Sequence, residues 1–338
     1  WDDGVRADGE ALDIAANTGE LLFARVVAVN DGGVSFPSSV VAARRGTAAP
    51  VLLVNAFDRL DTGLLSWEDV GGAVGEVRMD LQRMNAGDIL VSHAHAVDAL
   101  GWAFDSVEDE ALPSLGDYRV VVWATGEEST IDATFSDPQQ ALLASYVEGG
   151  GALWASGAEI LWDLVEKGDS DEQAFARDVL GVDYASDDCD CTLARGTAIL
   201  AGIDMDFSAV YPVEFPDVLT TRGEVIATYP DGSAAAALTG RVALFGFPFE
   251  AMGDAAARAD VAAGVLRALV PGYEPPVDTG GTVDTGAPVD TAGGAHTAGE
   301  PRANSSVAAS GCGCDSGGAG SMLVFLGLVW RGGRRRAR

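Results

Sequence analysis

Between residues 49 and 271, runs of consecutive apolar residues alternate with stretches of helical period. VLLVNAF (51–57) and RVVVWATG (119–126) show no polar alternation, the pattern of strands buried on both faces. ALWASG (152–157) and GRVALFGFPFE (240–250) repeat it. Residues 86–102 and PQQALLASYVEGG (138–150) have helical spacing. Asp137 stands where an N-cap belongs, and the glycines at 149–150 stand where a helix stops. A further helix is expected from Ala158, and a closing one over 254–270. Such alternation predicts an α/β domain over 49–272: a doubly wound, mostly parallel, flavodoxin-like sheet with helices on both faces. Trp102, Trp123, Trp154 and Trp162 fall within these core patterns, so they do not by themselves mark a sugar-stacking platform.

The flanks read differently. LLFARVVAVN (21–30) is a β-branched strand pattern, DGG (31–33) a turn, and VSFPSSVVAAR (34–44) an edge-type strand interrupted by Pro37. Residues 1–48 thus read as a β-hairpin region distinct from the α/β pattern. From 273 to 311 no core pattern remains, and VDTGGT, VDTGAP and VDTAGG repeat in tandem from residue 277. Small polar sequence of this kind cannot bury enough apolar area to fold, so a disordered spacer is expected. Over 312–338 a short apolar run, expected as a helix, ends at Trp330 and is followed by Arg331, Arg334, Arg335, Arg336 and Arg338. The run is shorter than the roughly 20 residues of a full membrane span. An aromatic residue followed by arginines nevertheless suits a membrane interface.

Charge narrows the functions. The formal net charge is −30, and setting those five arginines aside leaves −35 for the rest (−30 − 5). A body this acidic repels nucleic acid and anionic lipid, which excludes nucleic-acid binding. No cofactor is expected. His93 and His95 are two apart and diverge on a helix, so they do not form a two-histidine metal site there. Cys189 and Cys191 lack further zinc ligands nearby and are expected to pair as a disulfide in an exported protein.

In doubly wound sheets, sites gather beyond the carboxyl ends of the strands. Those positions hold Asn55, Asp58 and Arg59, then Glu127 and Glu128, then Ser156 and Glu159, then Glu250. Glu159, Glu128 and Glu250, with His93, are the candidate acid–base set. Asn55, Asp58, Arg59, Glu127 and Ser156 are candidate binding residues. As plain architecture, carboxylates at helix starts are each favourable by about 0.3–1 kcal/mol against the helix dipole. Ser156 would need His93 or His95 within hydrogen-bond reach to act as a nucleophile.

Four resemblances follow from these residues. Gly311-Cys312-Gly313-Cys314, the apolar run Met322–Trp330 and Arg334–Arg336 together resemble the MYXO-CTERM sorting tail of myxobacteria. That resemblance implies export, recognition by a myxosortase-type membrane protease near Cys312 or Cys314, and display at the cell surface, anchored to the envelope membrane through the C-terminus. Val26, Ala28, Asn30, Gly33, Ser35, Pro37-Ser38 and Val41 resemble the last two strands of a fibronectin type III module, with Leu22 where that family has a tyrosine, which implies that residues 1–48 are the C-terminal part of a β-sandwich. The motifs at Val54–Arg59, His93–Ala96, Phe104–Ser106, Gly126–Thr130, Ser156–Leu164 and Gly246–Glu250 resemble an extracellular bacterial domain labelled N-acetylmuramoyl-L-alanine amidase or xanthan lyase. The layout is also similar to class I glutamine amidotransferases, but the elbow Ser156-Gly157-Ala158-Glu159 has no cysteine and Gly246–Glu250 no histidine, which excludes thiol amidotransfer. The expectation is an exported surface protein that binds or positions an envelope or extracellular polysaccharide. The alternative is a hydrolase or lyase on peptidoglycan or polysaccharide.

Overall fold

A computed structural model describes residues 11–59, 87–130 and 133–275, single residues at 4, 5, 7 and 72, and four short strands elsewhere. Thirteen strands make one mixed sheet. In chain order they are β1 (Leu21–Ala24), β2 (Val41–Arg44), β3 (Val51–Asn55), β4 (Phe104–Glu108), β5 (Val120–Glu127), β6 (Ala152–Ala158) and β7 (Val182–Ser186). Then come β8 (Leu193–Gly196), β9 (Asp204–Asp206), β10 (Val218–Thr221), β11 (Glu224–Thr228), β12 (Ala234–Thr239) and β13 (Val242–Phe245).

Five central strands are parallel, in the order β4-β3-β5-β6-β13. This is the flavodoxin-like order, and the chain reverses its direction of travel between β3 and β5. The alternation of side chains explains why the runs lack polar residues. Val51, Leu53, Val120, Val122 and Trp154 face one core, beneath helices α1 (Ile89–Ala99) and α4 (Ala255–Leu269). Leu52, Val54, Val121, Trp123 and Leu153 face the other, beneath α2 (Asp137–Glu148) and α3 (Ser170–Phe175). Both faces are covered, so both sets of alternate residues are apolar. Trp123 stacks on Phe135 and Trp154 meets Phe249 edge-on, so each tryptophan anchors a different face.

The elements differ from expectation in detail. Ser136, not Asp137, is the N-cap of α2, and Gln139 reaches back to accept the Ser136 backbone N–H at 2.8 Å. β6 runs on through Ala158, and helix begins only after Glu159. The late strand is shorter than 240–250, because Phe249–Ala251 turns as a 3₁₀ helix. The larger addition is an antiparallel flank, β7 to β12, attached to β13 through β12. At the other edge, β1 and β2 form an antiparallel pair that touches β4 at Arg44–Phe104. Leu21–Ala24 and Val41–Arg44 therefore extend the central sheet, while the residues between them include a separate two-stranded hairpin. Their turn is present: Val29–Asn30 pairs with Gly33–Val34. Trp162 is only half-buried and lies beneath Lys167, 4.0 Å from its ring centroid.

Most of the spacer and tail, with Cys312, Cys314 and Arg334–Arg336, lies outside the described residues. Ser305–Ala308 pairs with Ala11–Ile14 and with Gly327–Val329, so these three residues of the apolar run are extended rather than helical. Among the described residues, no helix is long and apolar enough to cross a membrane.

One local feature shapes the site below. The β5–β6 register shifts between Ala124 and Gly126, a bulge at Thr125. A Cβ on Gly157 would lie 1.8 Å from Thr125 Oγ1, so glycine is required where the bulge crosses β6. Gly157→Ala is expected to destabilise the chain by about 1–3 kcal/mol through overpacking. Combining it with Thr125→Gly, which removes the hydroxyl met first, should return part of that loss in a urea-unfolding double-mutant cycle.

Candidate functional site

The bulge and the reversal of strand order bring charged side chains to the carboxyl ends of β3, β5 and β6. Arg59, just past β3, is the hub. Its Nη1 donates to the backbone carbonyls of Glu127 (3.3 Å) and Glu128 (3.2 Å) and lies 3.7 Å from Glu159 Oε2. Glu159 has φ 61, a left-handed conformation rarely taken by a residue other than glycine, asparagine or aspartate. It occupies the sharp turn between β6 and the following helix. Asp217 holds that turn from below: its buried carboxylate accepts the backbone N–H groups of Leu161 (2.8 Å) and Trp162 (3.2 Å). Asp217 is thus a positioning residue, and no pattern around it in the sequence announces this.

Burial sets the electrostatics. It pushes the Glu159 carboxyl up to about 7, with Arg59 opposing and Asp187, Glu214 and Asp163 adding to the rise. It pushes Glu127 up to about 8, against the pull of the Glu214 backbone N–H and Arg59. Glu127 Oε1 accepts that N–H at 3.0 Å, while its buried Oε2 has no hydrogen-bond partner among the described residues. Glu128 is buried beside it. Glu250 is buried too; it accepts the Tyr211 hydroxyl at 2.8 Å and is raised to about 7, first by burial. Burial raises the Tyr211 hydroxyl, and the charges of Glu250 and Glu127 add to the rise.

A second acidic group lies at the ends of β3 and β4. Asn55 Nδ2 donates to Glu108 Oε2 at 2.7 Å, and burial raises Glu108 to about 7. Carboxylate oxygens of Asp58, Asp109 and Glu110 can lie within 4.8 Å of one another. Burial, then Glu110, raises Asp109 to about 7. Glu108 and Asp109 were not among the sequence candidates, because the short strand FDSVE merges into an acidic stretch.

Neither histidine is hydrogen-bonded to a carboxyl of these groups among the described residues. His93 is buried on α1, its Nδ1 3.1 Å from the Ile89 carbonyl and its ring packed against Phe249 (centroids 4.8 Å apart). Burial lowers it to about 4, so it is neutral at pH 7. His95 points the other way, against Phe23. Ser156 Oγ is buried and has no hydrogen-bond partner among the described residues, so it forms no serine–histidine pair. Cys189 and Cys191 form a disulfide.

Carboxyls raised this far make folding pH-dependent. Glu159 and Glu127 titrate at about 7 and about 8 when folded, against 4.5 ordinarily. In that window the folded chain holds protons that the unfolded chain has released. Stability therefore falls as pH rises through the window and levels off above it. Urea midpoints measured from about pH 5 to about pH 9 should decline, and Glu127→Gln combined with Glu159→Gln should lessen the decline, leaving the part that Glu108, Asp109 and Glu250 contribute.

No family model matches the chain, and no curated protein matches it. Among solved structures it is similar to a β-galactosidase from the psychrophilic Marinomonas ef1, with TM-score 0.40 and 14% identity over 66% of this chain and 29% of that one. The chain thus matches less than a third of that enzyme's length. It is also similar to a glutamine amidotransferase from Thermotoga maritima, with TM-score 0.35 and 12% identity over 67% of this chain and 97% of that one. Neither likeness carries an activity to this chain.

Proposed function

We propose that this chain is an exported protein held at the cell surface, whose α/β body binds an envelope or extracellular polysaccharide. The observation that carries the binding reading is the cluster around Arg59, with the Glu159 carboxyl at about 7 and Glu127 at about 8. A carboxyl close to its own pKa both donates and accepts hydrogen bonds, and a guanidinium only donates. Hydroxyl-rich ligands need that mixture. Export and envelope attachment are supported by the resemblance of residues 311–338 to a sorting tail, with the myxosortase-type protease and the membrane as partners there.

A second reading is favoured by one specific observation, the φ of 61 at Glu159. Strained backbone at a strand-to-helix turn is where α/β hydrolases present a reactive group. A glutamate there, with Glu127 as a partner carboxyl, supports acid–base chemistry on peptidoglycan or polysaccharide. In this reading His93 packs the core and Ser156 is not a nucleophile.

Incubating the full chain with peptidoglycan and with acidic polysaccharides separates the readings. Binding in a pull-down without new reducing ends, unsaturated sugars or freed amines supports the binding module, and Glu159→Gln should weaken that binding about tenfold. Products from the wild type that vanish in Glu159→Gln establish the enzyme. Neither binding nor products with any polymer overturns both.

A further inference from the structure

At the opposite, amino-terminal edge of the sheet lies a cavity of about 560 Å³, away from the carboxyl cluster. Its walls include Arg119, Arg241, Tyr118, Tyr146, Ser145 and Gly151. Arg119 precedes β5 and Arg241 precedes β13, the two neighbours of β6. The Ala152 N–H donates to the Arg119 carbonyl at 3.0 Å and the Leu153 N–H to the Arg241 carbonyl at 2.9 Å. The two arginines therefore flank the start of β6, each about 5 Å of sheet away. Between them the chain has Gly151, where a Cβ would lie 2.3 Å from the Tyr146 ring. The Tyr146 ring itself therefore fills the space beside Gly151, between the starts of the two arginine-bearing strands.

Three features make this a built site rather than a chance pair of cations. In a chain of net charge −30, neither arginine makes an ion pair among the described residues. Arg119 lies over the Tyr273 ring at 5.4 Å, a contact that fixes a guanidinium without using its N–H donors. The carbonyls ending α2 do not compete for the arginines either. The Ser145 carbonyl accepts the Gly149 N–H (2.9 Å), Tyr146 accepts Gly151 (2.9 Å) and Val147 accepts Gly150 (3.0 Å). The tyrosine hydroxyls are engaged inward: Tyr146 donates to the Tyr118 carbonyl at 3.3 Å, and Tyr118 to Asp105 at 2.9 Å. Both rings are buried in the core and show the cavity only a small apolar surface.

We propose that this cavity binds a sugar-sized molecule bearing a carboxylate, of the uronate class, with the carboxylate between Arg119 and Arg241 and the sugar ring against Tyr146 and Tyr118. Planar guanidinium forks match a carboxylate bidentately. The volume suits a small ligand. Aromatic surface beside the fork accommodates the ring.

Calorimetric titration of the full chain with glucuronate, glucose and inorganic sulfate tests this. Glucuronate should bind, and glucose should bind at least about tenfold more weakly. Arg119→Gln and Arg241→Gln should each weaken glucuronate about tenfold. Arginines that serve only to offset helix ends would shift the melting temperature and leave ligand binding unmoved. Should either variant fail to fold, protection of the wild-type arginines from phenylglyoxal, read by mass spectrometry, replaces it. Glucuronate should protect Arg119 and Arg241, and glucose should not. Sulfate binding as tightly as glucuronate overturns the sugar part of the proposal. No glucuronate binding in the millimolar range, or no protection, overturns it entirely.

Discussion

Burial of the central strands on both faces is the constraint from which the rest follows. β3 and β5 are fully buried along their length, so every alternate side chain must be apolar whichever way it points. Helices must cover both sides, and polar chemistry has nowhere to go but the two ends of the strands. Because strand order reverses between β3 and β5, no crossover helix closes the sheet directly over that junction at its carboxyl end. Arg59 and Glu127 sit there, and Glu159 enters from the next strand.

The same burial gives these groups their character. A carboxyl taken out of water favours its protonated form, and one arginine does not restore the ionised form of several. The bulge at Thr125 and the glycine opposite it let β5 and β6 approach closely just below the cluster. Asp217 then fixes the turn that holds Glu159 in its left-handed conformation. Backbone strain, desolvation and a shared arginine converge on the same few residues. That convergence distinguishes the cluster from carboxylates that merely cap helices.

The uninterrupted apolar runs made β3, β5 and β6 legible, along with the doubly wound class and the carboxyl end as the place to look. The antiparallel flank was not legible. β12 is mostly alanine, whose intrinsic preference is for helix, and β8 and β9 are too short to show a period. Arg59, Glu127, Glu128 and Glu159 were all legible as strand-end residues. Their joining through one guanidinium was not, because contacts across a hundred residues leave no local pattern. Nor does sequence show a positive φ on a glutamate, since that conformation is imposed by the tertiary structure around the turn. His93 looked like a site residue by motif, and it is the packing of Phe249 and Trp154 that turns it into the core.

The central claim is that the carboxyls around Arg59 stay protonated to near neutral pH in the folded chain. Carbon-13 NMR of the chain labelled at glutamate side-chain carboxyls tests it most directly. The account predicts resonances titrating at about 7 and about 8, one lost in Glu159→Gln and the other in Glu127→Gln. If every glutamate carboxyl instead completes its titration near the ordinary value of 4.5, the cluster is solvated and the account is contradicted.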